Sequence, residues 1–418
     1  MLDPKLIREN PGKVRESLKK RKEDTGLVDR WLEKDKKFRV MKSELDSLRH
    51  KRNLISEEIN KLNKEGKKIE IGKKIKEAKE IAEKIKKREG ELKNIEEDLQ
   101  SLALNFPNLV FFGVTEKEKL IYIHEKKEKK EAWHRNYLEI LHSLDIADFE
   151  TATKMSGEGF FILKNEGATL LRALVNFCLD IAKKRSYREV YLPVLLNERA
   201  AINSAHIPRF KEGMYKTQDG FYLSPTEEVG LLNLYAEKII DKEDLPLSFT
   251  AYIPSFRTEK GATKGMIRTH QFDEVELFKF TKQGESDSEL KKMTEDAKEP
   301  LKLLNLPFRI KILPAWELAP QSSKTYDIDV FAQKTGWLEV SSCSNCLDFQ
   351  ARRARIFYED KGKKFVHTLN GTCLGLNRVL IAILENYQQQ DGSVKVPTVL
   401  QKYTGFKKIE SKNRKNKK

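Results

Sequence analysis

Arg257, Glu259, Arg268, Phe272, Glu274 and Glu276 crowd into one stretch, FRTEKGATKGMIRTHQFDEVELF at residues 256–278. Arginine suits phosphate through forked hydrogen bonds. An aromatic ring suits a base by stacking. Ser255 to Glu259 reads as a short extended run, Gly261 to Gly265 as a turn and His270 to Phe278 as a second run, so the stretch predicts a hairpin. Alternation along a strand puts Arg257 and Glu259 on one face. It puts Phe272, Glu274, Glu276 and Phe278 together, opposite Asp273, Val275 and Leu277. A face this polar reads as the floor of a site for a charged, partly aromatic ligand, and a nucleotide is such a ligand. A solvated amphipathic hairpin fits the same residues equally well.

Three further clusters carry possible chemistry. Thr226, Glu227 and Glu228 follow Leu223-Ser224-Pro225. A threonine and a carboxylate two residues apart can hold an ammonium group, although a helix N-cap followed by acids is the more ordinary use. The run Glu339-Val340-Ser341-Ser342-Cys343-Ser344-Asn345-Cys346 contains a Cys-x-x-Cys pair, with His367 and Cys373 downstream. That set is incomplete for structural zinc, whereas Glu339, Ser341 and Ser342 offer the oxygen ligands that Mg²⁺ takes. His367 to Arg378 reads as small residues opening a helix that continues through Leu384. The chain contains neither a Walker sequence nor G-x-G-x-x-G, so any ATP is held by something other than a P-loop or a Rossmann crevice.

The elements that position these groups follow from length and pattern. A chain of 418 residues predicts two or three domains. Its net charge of +16 is uneven: residues 1–100 hold 30 Lys/Arg and 22 Asp/Glu, and residues 407–418 hold seven bases and one acid. Basic extensions point to a polyanion such as nucleic acid; a charge-rich solvated helix is the plainer reading. Four cysteines imply no disulfide framework. The start MLDPKLIREN has no apolar signal core and no run of 18 apolar residues exists, so a cytoplasmic protein without a membrane span is expected.

Residues 27–104 carry apolar side chains at alternating intervals of three and four: Phe38, Met41, Leu45, Leu48, Ile55, Ile59, Leu62, then Ile71, Ala78, Ile81, Ile85, Leu92, Ile95, Leu99, Leu102. This is a coiled-coil seam. The Asn63–Lys68 break reverses it, predicting two helices of roughly 30 residues and an arm about 45 Å long. Its tip gathers Lys61, Lys64, Lys67, Lys68, Lys73 and Lys74. Residues 107–134 read as a linker with a charged run from Glu125 to Glu131, 135–406 as a domain of mixed helices and strands, and 407–418 as a disordered basic tail. Within that domain, 168–185 predicts an amphipathic helix and Tyr187–Leu196 a strand interrupted by Pro193.

Taken together, the chain resembles the bacterial-type seryl-tRNA synthetases, a class II aminoacyl-tRNA synthetase family. The arm is followed in order by Tyr187–Pro193 (similar to motif 1), Phe256–Phe278 (motif 2) and Asn370–Arg378 (motif 3). SPTEEV, RTHQFDEVELF, EVSSCSNCLDFQARR, HTLNG and ENYQQQDGSVKVP match the family's own strings. The resemblance implies an α+β fold: a catalytic domain on an antiparallel sheet, with an N-terminal antiparallel two-helix arm in residues 1–106. It implies a homodimer formed through motif 1, ATP, L-serine and serine tRNA as substrates, Mg²⁺ with the ATP, and no structural zinc at CSNC. Where selenocysteine tRNA exists, the family charges it with serine too.

The same resemblance assigns roles. Arg257 takes the α-phosphate and the serine carboxylate, Glu259 the adenine edge, and Phe272 and Arg378 the two adenine faces. Arg268 and Arg378 lie toward the outer phosphates. Thr258, Val340 and Ser341 belong to the ATP site, Glu339 and Ser342 to its metal and phosphate end. Thr226 and Glu228 take the serine ammonium, Glu227 belongs to the same serine site, and Glu276 and Thr372 take the hydroxyl. The lysine-tipped arm reaches the tRNA's long variable arm. The family usually has serine at position 372 and glycine at 377, where this chain has Thr372 and Asn377. Strict alternation puts Glu339 and Ser342 on opposite faces, so a bulge or a strand end is required if both serve one site. A paralogue that binds RNA without activating serine is the rival reading, and the intact Arg257, Glu276, Glu339 and Arg378 stand against it.

Overall fold

The computed structural model describes residues 1–124, 131–259 and 265–410. The chain forms two compact units, Leu2–Phe106 and, with Met1, Pro107–Lys418. In the first, two short helices precede α1 (Gly26–Lys64) and α2 (Lys68–Asn105), which pack against each other as a hairpin. Leu45, Ile55, Ile81 and Ile85 are buried between them, flanked by Leu48, Ile59, Ala78 and Leu92. Gly66, at φ 72°, supplies the left-handed residue at the reversal. The helices have 39 and 38 residues, so each is nearly 60 Å long by the usual rise per residue. The outer bounds match the expected 27–104 segment, but each helix exceeds the roughly 30 residues expected because both run beyond the named seam residues: α1 reaches back to a base where Leu27, Val28 and Trp31 are buried, and α2 runs from Lys68 to Asn105. At the tip Lys67 pairs with Glu65 at 2.9 Å, and Lys74 with Glu58 at 2.7 Å and Glu77 at 3.2 Å.

The second unit is built on an eight-stranded sheet: β1 (Lys119–His124), β2 (Arg188–Val190), β3 (Leu247–Phe256), β4 (Gln271–Thr281), β5 (Phe308–Ile312), β6 (Lys324–Ala332), β7 (Gly336–Leu347) and β8 (His367–Gly375). The spatial order is β1-β5-β6-β7-β8-β4-β3-β2. Every neighbouring pair is antiparallel except β2–β3. Helices α3 (Asn165–Lys184), α5 (Ser286–Leu303) and α6 (Leu376–Tyr387) pack against the sheet; α4 (Glu227–Asn233) lies against β3 and β4. Leu170, Leu174 and Cys178 of α3, Leu290 and Met293 of α5, and Leu380 and Leu384 of α6 meet Val275, Leu277, Ile328 and Leu369 in the main core. The other side of β4 carries Phe272, Glu274 and Glu276, then Phe278 and Phe280, which join a second core with Leu192 and Phe249.

Several expectations change. The motif 2 hairpin is longer than predicted, with Ser255 opposite Phe272 and pairing continued to Leu247–Phe280; the turn residues Gly261 to Lys264 lie outside the described residues. His367–Gly375 is a strand, and the helix begins only at Leu376. Its small residues serve close packing: a Cβ on Gly371 would come 2.9 Å from both Cys343 Sγ and Met293 Sδ. The 107–134 segment is more than a linker. Val110, Phe111 and Val114 pack with Leu313, Ala315 and Leu318, and β1 pairs with β5. The charged run at 125–130 is outside the described residues, as is the tail from 411. Lys408–Ile409, assigned above to a disordered tail, pairs with Val394–Lys395. Pro193 does interrupt the Tyr187–Leu196 run, leaving β2 and a separate short strand, Leu195–Leu196.

Candidate active site

Two adjoining cavities open over the polar part of β4. The first, about 130 Å³, is bordered by Arg257, Glu259, Arg268, Phe272, Glu274, Glu339, Thr372, Asn377 and Arg378. The second, about 510 Å³, is bordered by Thr226, Glu228, Arg257, Glu274, Glu276, Glu339, Ser342, Asn370 and Thr372. Arg257, Glu274, Glu339 and Thr372 border both.

Arg257 leaves the end of β3. Its backbone N–H donates to the His270 carbonyl at 2.9 Å and its Nε to the Pro225 carbonyl at 3.0 Å. Its guanidinium lies 4.8 Å from the Phe272 ring centroid, within cation–π range. Arg378, in the first turn of α6, donates through Nε to the Ile267 carbonyl at 3.1 Å and through a terminal nitrogen to the Glu339 carbonyl at 2.7 Å. These bonds fix its plane at the cavity wall. Arg268 and Glu259 are 3.8 Å apart at the same cavity.

Beyond Phe272 the floor is a set of buried carboxyls, so the face read above as the floor of a site is enclosed and the solvated-hairpin alternative does not apply to it. Glu276 faces Thr372 across the β4–β8 pairing and accepts its hydroxyl. Burial, with the charges of Glu274, Glu227 and Glu228, raises its pKa well above the ordinary carboxyl value. Burial also raises Glu274, against the opposing charge of Arg257 and a hydrogen bond from Thr226. Thr226 is the N-cap of α4, accepting the Glu228 N–H at 3.3 Å. The cap reading of this residue therefore holds, and the capping side chain also borders the second cavity. Burial brings Glu228 up to about 7, opposed by hydrogen bonds from Gln350, Gln321 and Asn370 and by Arg257.

Glu339 and Ser342 border the second cavity together because of a bulge. Ser341 pairs with Ile328 and Glu339 with Asp329, leaving Val340 as the extra residue. The inserted residue shifts the alternation by one. Ser342 hydrogen-bonds to Asp327, whose other carboxylate oxygen is buried without a protein partner. Val340 joins the core and Ser341 donates to the Thr372 carbonyl, so both border the first cavity as structure.

Two assigned residues lie elsewhere. Glu227 is fully buried, accepts from Ile253 N–H at 3.0 Å and Ser255 Oγ at 3.3 Å, and borders neither cavity. It ties the start of α4 to β3. Thr258 donates its hydroxyl to the Glu212 carbonyl at 2.7 Å and its N–H to the Gly213 carbonyl at 2.9 Å, and it borders neither cavity. Glu274 alternates visibly with Phe272 and Glu276 in the sequence, but its place beside Arg257 and Thr226 emerges only in the fold. No local pattern marks Gln321, Gln350 or Asn370 as the partners of Glu228. Asn370 and Asn377 each border a cavity with a buried side-chain oxygen lacking a protein partner. Cys343 and Cys346 are buried in β7.

Residues 210–387 match the class II core domain of tRNA synthetases for G, H, P, S and T, and residues 1–110 match the seryl-tRNA synthetase N-terminal domain. The chain is 42% identical over 416 residues to the serine–tRNA ligase of Methanosarcina barkeri, covering 97% of each protein. It is 41% identical over 427 residues to that of Carboxydothermus hydrogenoformans, covering 99% of this chain and 100% of the relative. A seryl-tRNA synthetase of Pyrococcus horikoshii, solved in complex with ATP, superposes with a TM-score of 0.90 at 33% identity, over 98% of this chain and 100% of that one. With that coverage and the matching N-terminal and core domains, the chain belongs to the seryl-tRNA synthetase family and is a class II serine–tRNA ligase.

Proposed function

We propose that the two cavities hold the two halves of one reaction, ATP in the first and serine in the second, with the new bond forming beside Arg257. The observation that carries this is the sharing of Arg257 by both cavities, with Phe272 on one side and Glu276 on the other. Phe272 and Glu276 are about 13 Å apart along the strand, a span suited to an aminoacyl-adenylate.

The base lies between Phe272 and the anchored plane of Arg378, with Glu259 at its edge. Arg257 takes the α-phosphate and the serine carboxylate; Arg268 lies toward the outer phosphates. Thr226 and Glu228 take the serine ammonium, and Glu276 with Thr372 takes its hydroxyl. A serine carboxylate oxygen attacks the α-phosphorus, an O–P bond forms, and the bond to the leaving pyrophosphate breaks with its electron pair. The terminal ribose hydroxyl of the tRNA then attacks the seryl carbonyl. The ester bond forms, the bond to the phosphate oxygen breaks, and the proton leaves with AMP. Arg257 contributes positioning and charge neutralisation.

Mg²⁺ fits the donor set: Glu339 and Ser342 supply oxygens on one wall, with Asp327 behind Ser342. Bound there with the nucleotide, it supplies charge neutralisation on the phosphates. Selection is asymmetric. Alanine leaves the Glu276 carboxylate unpaired and is rejected strongly; threonine is excluded by the wall, which the Thr372 methyl narrows. The arm, residues 27–104 of an N-terminal region 1–106, reaches serine tRNA through its lysine tip, and selenocysteine tRNA wherever that tRNA occurs. The catalytic region is carried by the second unit, which takes in 107–124 and Lys408–Ile409 as well as 135–406, and the working form is a cytoplasmic homodimer.

ATP–pyrophosphate exchange across an amino-acid panel tests the reading. Exchange with serine, and at least a hundredfold less with alanine and threonine, is expected. Intact tRNA binding without exchange favours the inactive paralogue instead.

A further inference from the structure

Residues 265–269 lead into β4 along the wall of the first cavity, and Arg268 leaves the backbone among them with its side chain 55% exposed. What fixes this segment lies outside the reading above. Gly265 sits at φ 105°, and a Cβ there would run into the Tyr137 hydroxyl oxygen, so the close approach requires glycine. Met266 is fully buried and donates its backbone N–H to that same oxygen at 3.3 Å. Ile267 offers its carbonyl to Arg378 Nε at 3.1 Å. Thr269 donates its hydroxyl to the Gln271 carbonyl at 2.7 Å and accepts from Asn377 Nδ2 at 3.4 Å. Arg268 therefore stands between anchored neighbours on both sides.

Tyr137 is held from behind in turn. It begins a short helix, Tyr137–Leu144, whose capping box pairs Asn136 with Glu139. Its backbone N–H donates at 3.0 Å to Glu385, which lies fully buried near the end of α6. The Glu385 carboxylate also accepts from the N–H groups of Lys334 and Thr335, at 2.7 and 2.9 Å, and from the Thr335 hydroxyl at 2.7 Å. One carboxylate thus joins the β6–β7 turn and α6 to Tyr137, and α6 also carries Asn377 and Arg378. Tyr137 borders neither cavity, while Met266, Ile267 and Arg268 border the first and not the second. A displacement of the segment reaches the nucleotide and spares the serine. We propose that Tyr137 is a positioning residue for the nucleotide: its hydroxyl, through Met266, sets where Arg268 stands and so how the outer phosphates are held. This rests on the two-cavity reading, which puts ATP in the first cavity.

Tyr137→Phe keeps the ring and removes the acceptor. Calorimetric titration of the full-length variant with ATP and with AMP, both with Mg²⁺, separates positioning from a general lesion, because AMP lacks the outer phosphates. Kd for ATP is expected to rise about fivefold to tenfold. Kd for AMP and KM for serine stay within about twofold of wild type, as for sites that do not couple. In an Arg268→Ala background the same substitution adds less than about twofold to Kd for ATP, because a residue that acts through another is not additive with it. ATP and AMP weakening together, an unchanged Kd for ATP, or full additivity with Arg268→Ala overturns the proposal. Failure of the two-cavity reading shows differently, as absence of serine-dependent exchange in the wild type.

Discussion

Four carboxyls, Glu227, Glu228, Glu274 and Glu276, are buried near one another, and Arg257 is the cation that most opposes the rise at Glu274. Such a cluster is unfavourable in the empty protein and becomes favourable when an ammonium group arrives. Glu228, brought up to about 7 by burial, is the member whose titration is accessible. On the proposed reading serine binds it as carboxylate, so kcat/KM for serine falls up to tenfold per unit as pH drops below about 7 and levels off above. Binding of ATP alone stays flat. A profile without slope between pH 6 and 8 contradicts the assignment. Stability runs the other way. A carboxyl whose pKa is raised on folding favours the folded state when protonated. That stability is fully present below about 4.5 and is lost as pH rises through about 7. The change is on the order of 3 kcal/mol, so the free enzyme has a lower Tm at pH 8 than at pH 6. Glu228→Gln narrows the gap and abolishes serine activation, as thermal denaturation and exchange assays check. At this scale Phe272, Glu274 and Glu276 were legible because a strand alternates strictly. Glu227 and Thr258 were misassigned because neighbours in a motif point different ways once Ile253, Ser255 and Glu212 claim their hydrogen bonds.

The arm and the bulge show what elements add. The three-and-four spacing named the helices but marked only the seam between them. The buried Trp31 end of α1 has no heptad signature, so the length was underestimated. The bulge at Val340 cannot be read from EVSSC, since nothing local distinguishes an inserted residue; pairing with β6 creates it. His367–Gly375 was misread because its small residues matter only between β7 and β4. The arm carries a testable consequence. Replacing residues 52–80 with a short glycine–serine turn keeps the seam around Leu45 and Ile85 and removes the lysine tip. Serine activation is expected to stay within twofold, charging of tRNA to fall at least a hundredfold, and the salt dependence of tRNA binding to weaken. Charging that survives the replacement excludes the arm as the tRNA reader.

Over the whole molecule the charge excess sits at the ends of the sequence, leaving residues 101–406 near neutrality. This is the distribution expected if the arm meets RNA, as proposed above, while the sheet holds small substrates. The two-unit organisation was legible as a change in composition near residue 106. The place of 107–124 within the second unit was not, because β1 is short and exposed and becomes a strand only beside β5. The central claim is that one cleft binds both halves of an adenylate around Arg257. Calorimetric titration with a non-hydrolysable seryl-sulfamoyl-adenosine tests it most directly. A site on each chain that binds it at least a hundredfold more tightly than serine or adenosine alone is predicted, with a loss of at least a hundredfold in Glu276→Ala while ATP affinity is kept. Equal affinity for the seryl and alanyl analogues, or no effect of Glu276→Ala, would contradict the account.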